Sequence, residues 1–229
     1  PGASQSRIPQ IHAAQYREPS TVRDILGKNS GSVLIVGKRL TAGETMRGLC
    51  DAGYNVALSH RSPIKSMYWP WLQACVFPLT QMLEELRVRV LPRARPWNLQ
   101  VLMNRSDHIP LIDSGRVRLF PDIHRFEEQA VVFRNGQRET FDLVIYATGY
   151  LPAMAHLEGF VGLDPSTGYP PIYDLQSREM PGLYFLGLVD SRTFRSQFLR
   201  GLREDATYLA EKLAGSMSPR NEMVALGAS

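Results

Sequence analysis

Gly37, Lys38, Arg39, Thr41 and Ala42 are the residues of this chain whose types and spacing best suit chemistry. They follow Ser32-Val33-Leu34-Ile35-Val36, an apolar β-branched run, and they precede a segment of helical periodicity. A strand, a tight turn and a helix N-terminus in that order offer backbone N–H groups and the positive end of the helix dipole to an anion. A doubly wound α/β domain holds a dinucleotide pyrophosphate in this way. The G-x-G-x-x-G template is met at Gly37, with Arg39 at its second glycine and Ala42 at its third. The Arg39 side chain either points outward and pairs with a phosphate or obstructs the turn. Thr41 either donates to a phosphate oxygen or caps its helix. Glu44 falls in the expected first turn, where the macrodipole is sufficient reason for an acid. The alternative for the whole stretch is a strand–helix turn with no ligand.

A second group stands at Ser59-His60-Arg61-Ser62, after the next apolar run. In dinucleotide folds the adenosine ribose lies here; an acid binds its 2′-hydroxyl and an arginine suits a 2′-phosphate. No Asp or Glu occurs from Asn55 to Gln81, whereas Arg61 and Lys65 are present. Charge-assisted pairing of guanidinium with phosphate favours NADP over NAD, with Arg61 and Ser62 as contacts. A solvated basic loop is the other reading. A third group, Ala147-Thr148-Gly149-Tyr150, closes a further apolar run with small residues that let backbone approach a ligand.

The elements that must position these groups make an α/β fold, a Rossmann-like three-layer NAD(P)-binding domain with a β-hairpin or meander. Val33–Val36 is expected as a parallel strand buried on both faces. Thr41–Ala52 is expected as a helix, with Met46, Leu49 and Cys50 on one face and Gly53 as its stop. Val56–Leu58 is the next strand, completing a unit of about 30 residues. Residues 1–30 read as irregular, with one or two helical turns at Thr21–Leu26. Met67–Phe77, with Trp69 and Trp71 about Pro70, reads as an aromatic packing segment. Leu79–Leu86 reads as helical and Pro92–Pro110 as a loop. Strands are expected at Val117–Phe120, Ile123–Phe126, Ala130–Phe133 and Glu139–Phe141, with Asn135-Gly136 as a hairpin turn. Asp142–Tyr146 and Gly182–Leu188 are two more. Phe198–Leu213 is an amphipathic helix with Leu199, Leu202, Ala206, Leu209 and Leu213 on one side, and 215–229 a flexible tail.

The composition narrows the function. The 229 residues carry a formal charge of +4, and their bases are dispersed, without a Lys/Arg run of five. That argues against nucleic acid as a partner. Cys50 and Cys75 are the only cysteines and form no C-x-x-C pair, so a reducing cytoplasm is expected. No apolar run reaches the ~18 residues of a membrane span, and the N-terminus lacks a signal pattern. His60, His108, His124 and His156 have no neighbours at ligand spacing, so no metal site is expected. No G-x-S-x-G elbow occurs. Phe185, Phe194 and Phe198 read as core, and Asp190 is left unassigned to a flavin.

Together these pieces resemble the flavin-containing monooxygenases, FAD- and NADPH-dependent oxidoreductases with two dinucleotide-binding domains. His12, Tyr16, Arg17 and Pro19 resemble the end of the family's F-x-G-x-x-x-H-x-x-x-Y signature, although Ser6 and Ile8 stand at its first two fixed positions. Val33–Glu44 is similar to the NADPH glycine loop, Phe141–Tyr150 to the A-T-G-Y return into the FAD domain, and Gly182–Gly187 to a late strand beside the flavin. The resemblance implies that residues 32–146 form the NADP domain. Residues 1–31 and 147–214 would then be FAD-domain segments. It implies NADP and FAD as cofactors, with NADPH reducing the flavin and a flavin hydroperoxide oxygenating a small-molecule substrate. His12 is either an NADP contact or a surface histidine of an irregular segment; no catalytic residue is assigned. The FAD unit that begins the family has no counterpart before His12. It is therefore expected on a missing segment or a second chain, and exposed apolar surface is expected near Gly187 and on the Phe198–Leu213 helix. The other reading is a degenerate NADP-binding or interaction module without activity. A thioredoxin-reductase relative is disfavoured by the missing C-x-x-C pair.

Overall fold

A computed structural model describes residues 1–64, 79, 82–83, 86–87, 90, 103, 107–189 and 191–216. Lys65, the Met67–Phe77 segment, Asp190, the tail beyond Ser216 and most of Leu79–Leu86 and Pro92–Pro110 lie outside them. The chain divides into one unit of Pro1–Gln73 with Gln100–Tyr150 and another of Ala74–Leu99 with Leu151–Ser229.

The first unit is built on a five-stranded parallel sheet. Its strands are β1 (Gln10–His12), β2 (Ser32–Val36), β3 (Asn55–Ser59), β4 (Val117–Phe120) and β8 (Leu143–Tyr146), in the order β1-β8-β2-β3-β4. Val33, Leu34 and Ile35 in the central strand β2 are fully buried, which is why that segment reads as a continuous apolar run. On one face, Val33, Ile35, Val56, Leu58, Leu143 and Ile145 pack against helix α2 (Leu40–Asp51). Its Ala42, Met46, Leu49 and Cys50 form the buried stripe. The other face, through Leu34, Ala57 and Val144, packs against Phe120, Phe126, Phe133 and Phe141. An antiparallel meander covers it: β5 (Ile123–Phe126), β6 (Val131–Phe133) and β7 (Arg138–Glu139). The layers are therefore helix, parallel sheet and meander. Gly136 makes the β6–β7 turn at φ 84, with Phe133 N–H bonded to the Gln137 carbonyl at 2.9 Å.

Residues 1–30 are more regular than expected. β1 pairs in parallel with β8, His12 opposite Tyr146, and α1 (Pro19–Leu26) runs eight residues from Pro19 to a left-handed Gly27. β1 is three residues with no apolar run of its own, and its ladder comes from a strand more than 130 residues away. α3 (Ile109–Asp113) adds Leu111 and Ile112 to the helical-side core.

The second unit holds a short hairpin, β9 (Ile172–Tyr173) with β10 (Gln176–Ser177), and helix α4 (Leu199–Ser216). A capping box of Thr193 and Ser196 fixes the 3-10 turn Phe194–Gln197 before it. The strand expected at Gly182–Leu188 does not form; one bridge, Gln176 to Tyr184, is present. Gly182 and Gly187 take φ of 84 and 81, which takes both ends of the run out of extended geometry. Phe185 N–H and the Leu183 carbonyl bond to Leu175 and Ser177 instead of to a ladder. Leu209 of α4 is buried and Leu202 and Leu213 are half-buried, while Leu199 and Ala206 are exposed, so only part of the expected apolar side is covered. Phe185 and Phe194 are buried, but Phe198 is exposed, as are Leu186 and Val189.

Candidate functional site

β2 is the strand at which the sheet order turns: β3 and β4 lie on one side, β8 and β1 on the other. In open parallel sheets the crevice beyond the carboxyl ends at such a point receives the ligand. Each residue group singled out from the sequence leaves a strand at this end. Gly37-Lys38-Arg39 follows β2, His60-Arg61-Ser62 follows β3, and Ala147–Tyr150 follows β8.

Gly37 closes the strand-to-helix turn. A Cβ at Gly37 would lie 2.4 Å from the Ala147 carbonyl oxygen, so the glycine lets the ends of β2 and β8 approach. Ala147 N–H and Gly37 N–H continue the ladders, to Val36 and Ser59 at 2.9 and 3.0 Å. Arg39 is the N-cap of α2, and no side chain caps the helix. The first-turn N–H groups consequently face the crevice end without a side-chain acceptor. Thr41 lies inside the helix and is not its cap. Ala42 is fully buried; its small side chain lets α2 approach the sheet. Arg39 is exposed, its side chain in solvent rather than packed in the turn.

Glu44 needs a different explanation from the one its sequence position suggests. α2 starts at Leu40, so the first turn carries no acid. Glu44 Oε1 lies 3.3 Å from Nε2 of His108, whose side chain is fully buried. The His108 ring rests against Gly43, where a Cβ would meet its Nδ1 at 2.4 Å. The glycine one place beyond the template thus seats the segment leading into α3.

Lys38 Nζ reaches Ser62 Oγ and the Pro63 carbonyl, joining the loops after β2 and β3. His60 Nδ1 lies 3.0 Å from the Ser62 carbonyl oxygen. Arg61 is 83% exposed and pairs with Asp122 at 3.6 Å; Arg134 pairs with the other oxygen of Asp122 at 3.2 Å. Asp122 and Arg134 were not evident from the sequence, because Asp122 reaches Arg61 from the turn after β4 and Arg134 reaches Asp122 from the β6–β7 hairpin.

Across the crevice, His12 Nε2 bonds to the Gly149 carbonyl at 2.9 Å, and its ring meets Tyr150 edge-on at 5.3 Å. Thr148, Gly149 and Tyr150 are exposed, and Ala147 is buried. At the opposite end of β8, Asp142 accepts from Lys28 Nζ and Ser32 N–H at 2.8 and 2.7 Å. These bonds hold its carboxyl below the usual range. Tyr16 packs over Gly48 of α2, and burial, with Glu18 nearby, pushes its phenol up to about 12. Among the described residues no three His, Cys, Asp or Glu converge for a metal ion, and no helix is long and apolar enough to cross a membrane.

No protein-family profile matches the chain. Over 127 residues it is 31% identical to coenzyme A disulfide reductase of Staphylococcus haemolyticus, covering 51% of this chain and 27% of that protein. Over 240 residues it is 23% identical to indole-3-pyruvate monooxygenase YUCCA8 of Oryza sativa subsp. indica, covering 90% and 54%. The chain therefore spans about half or less of these relatives. A mutant flavin monooxygenase from Stenotrophomonas maltophilia superposes with a TM-score of 0.66 at 17% identity, over 91% of this chain and 58% of that one. This chain has the fold of the flavin monooxygenases, the family that its motifs resemble.

Proposed function

We propose that this chain supplies the NADPH site of an FAD-dependent oxidoreductase of the monooxygenase type. The observation that carries the reading is the uncapped N-terminus of α2 at the sheet's switch point. Two basic loops flank it, and no described side chain caps it. The pyrophosphate would lie on the turn Gly37-Lys38-Arg39 and the first N–H groups of α2, including those of Thr41 and Ala42. Lys38, Arg61 and Ser62 would receive the adenosine phosphate side. Ala147, Thr148, Gly149 and Tyr150 would line the opposite wall, with His12 bracing the Gly149 carbonyl. Arg39 projects outward and leaves the turn open.

NADPH supplies hydride when bound; the residues named here bind and orient it. The flavin monooxygenase fold and the monooxygenase relative support FAD as the second cofactor and a small molecule as substrate. The described residues contain one strand–turn–helix dinucleotide motif, which this reading gives to NADPH. FAD therefore calls for a second such unit, on a further segment or another polypeptide. The NADP domain is read as residues 32–146 together with the β1 segment that pairs with β8, and residues 147–214 as a segment of the FAD domain. The free, buried thiol of Cys50 fits a reducing cytoplasm. The second reading is a degenerate NADP-binding or interaction module without catalytic activity.

Calorimetric titration of the chain with NADPH and with FAD, followed by oxygen uptake in the presence of both, tests the proposal. NADPH binding is expected from the chain as it stands. A chain that binds neither cofactor would overturn it, and binding with no oxygen uptake once an FAD unit is supplied would favour the inactive module.

A further inference from the structure

Arg61, Asp122 and Arg134 make an ion triad at the outer side of the candidate site. Arg61 comes from the loop after β3, Asp122 from the turn between β4 and β5, and Arg134 from the β6–β7 hairpin. Asp122 Oδ1 faces Arg61 Nε at 3.6 Å and Oδ2 faces Arg134 Nε at 3.2 Å. Hydrogen bonds to backbone carbonyls hold the turn that carries the acid. Ser59 Oγ donates to the Pro121 carbonyl at 2.7 Å, His60 N–H to the Phe120 carbonyl at 3.1 Å, and Arg134 N–H to the Asp122 carbonyl at 2.9 Å. The turn after β4 is thus sewn to the end of β3 on one side and to the hairpin on the other.

Both guanidinium groups meet Asp122 through Nε. The arginine side chains are 83% and 68% exposed, the carboxylate 23%. The acid is the sheltered member, and both arginine side chains lie largely in solvent. The Arg134 Nε–H donates to Asp122, which orients that guanidinium; Arg61, at 3.6 Å, is attracted to the same carboxylate as an ion pair. The triad with Lys38 carries three positive charges and one negative, a net charge that suits a phosphate dianion.

Resting on the NADPH reading above, we infer that Arg134 is a second 2′-phosphate ligand, held beside Arg61 by Asp122, and that the meander contributes to cofactor choice. A phosphate monoester would meet both guanidinium groups. A free 2′-hydroxyl offers them no charge, so the loss of Arg134 falls on NADPH alone. Asp122 is a positioning residue in this arrangement.

The test compares the full chain with Arg134→Ala and Arg134→Lys by titration with NADPH and NADH, and with adenosine 2′,5′-bisphosphate against AMP as the smaller pair. Arg134→Ala is expected to weaken NADPH and the bisphosphate about tenfold, as loss of a charge-assisted bond does, with NADH and AMP within about twofold. Arg134→Lys, which keeps the charge and guards against a folding defect, is expected to restore part of the difference. If the wild-type chain prefers NADPH and Arg134→Ala leaves that preference unchanged, or weakens both cofactors equally, the inference is wrong and the NADPH reading stands. If the wild-type chain binds neither cofactor, both are wrong.

Discussion

The Nε2 atom of His12 lies 2.9 Å from the carbonyl oxygen of Gly149, so the last residue of β1 is bonded to the loop that follows β8. Ala14 N–H donates to Nδ1 of the same ring at 3.2 Å. With Nδ1 accepting, Nε2 carries the proton and donates to Gly149, which assigns the tautomer. The bond ties a segment near the chain start to the wall of the candidate site.

His12→Ala should remove that tie. The expected cost is about 1 kcal/mol of stability, the net worth of one such bond, with faster amide exchange in the loop 147–150. Denaturant unfolding and hydrogen exchange would measure both. Exchange unchanged at these residues would mean that the loop is held by its strand alone.

Gly43→Ala should destabilise by about 1–3 kcal/mol, the range for forcing an extra methyl into a packed site. Its Cβ would sit 2.4 Å from Nδ1 and 2.8 Å from Cγ of His108, and the buried ring has no free end to swing aside. Combined with His108→Ala, the same change should cost much less. Additive losses in the double-mutant cycle would show that the two do not share this contact.

Asp142 predicts a pH dependence. Its folded carboxyl is held low, first by the Lys28 bond and then by Ser32 N–H. A depressed acid contributes stability above its unfolded value, about 3.9. That contribution is lost as pH falls through the lower folded value. The melting temperature should therefore drop below about pH 4. Asp142→Asn, which keeps an acceptor for Ser32, should make that acid limb shallower. An unchanged acid limb would mean that other carboxylates set it.

Much of the first unit was legible because its signals are local. The run Val33–Val36, the helical stripe Met46, Leu49 and Cys50, and the Asn135-Gly136 turn each fall in a short window. β1 was not legible, since Gln10-Ile11-His12 acquires its partner from Val144–Tyr146. The role of Glu44 is non-local for the same reason: the helix begins at Leu40, and its partner His108 is 64 positions away. The Gly182–Leu188 run carries strand-like residues, but a strand needs a ladder, and among the described residues one bridge is all it has. At the candidate site, the loops after β2, β3 and β8 could be placed from sequence because parallel topology brings strand ends together. Asp122 and Arg134 could not, because the meander that delivers them folds back by tertiary packing.

On the function proposed above, the crevice beyond β2 takes a dinucleotide bearing a 2′-phosphate. The most direct test is the binding of NADPH and NADH to the chain and to Arg61→Ala. The substitution is expected to weaken NADPH by about tenfold or more, as loss of a charged phosphate contact does, and NADH by less than about threefold. Equal weakening of the two, or none, would contradict it.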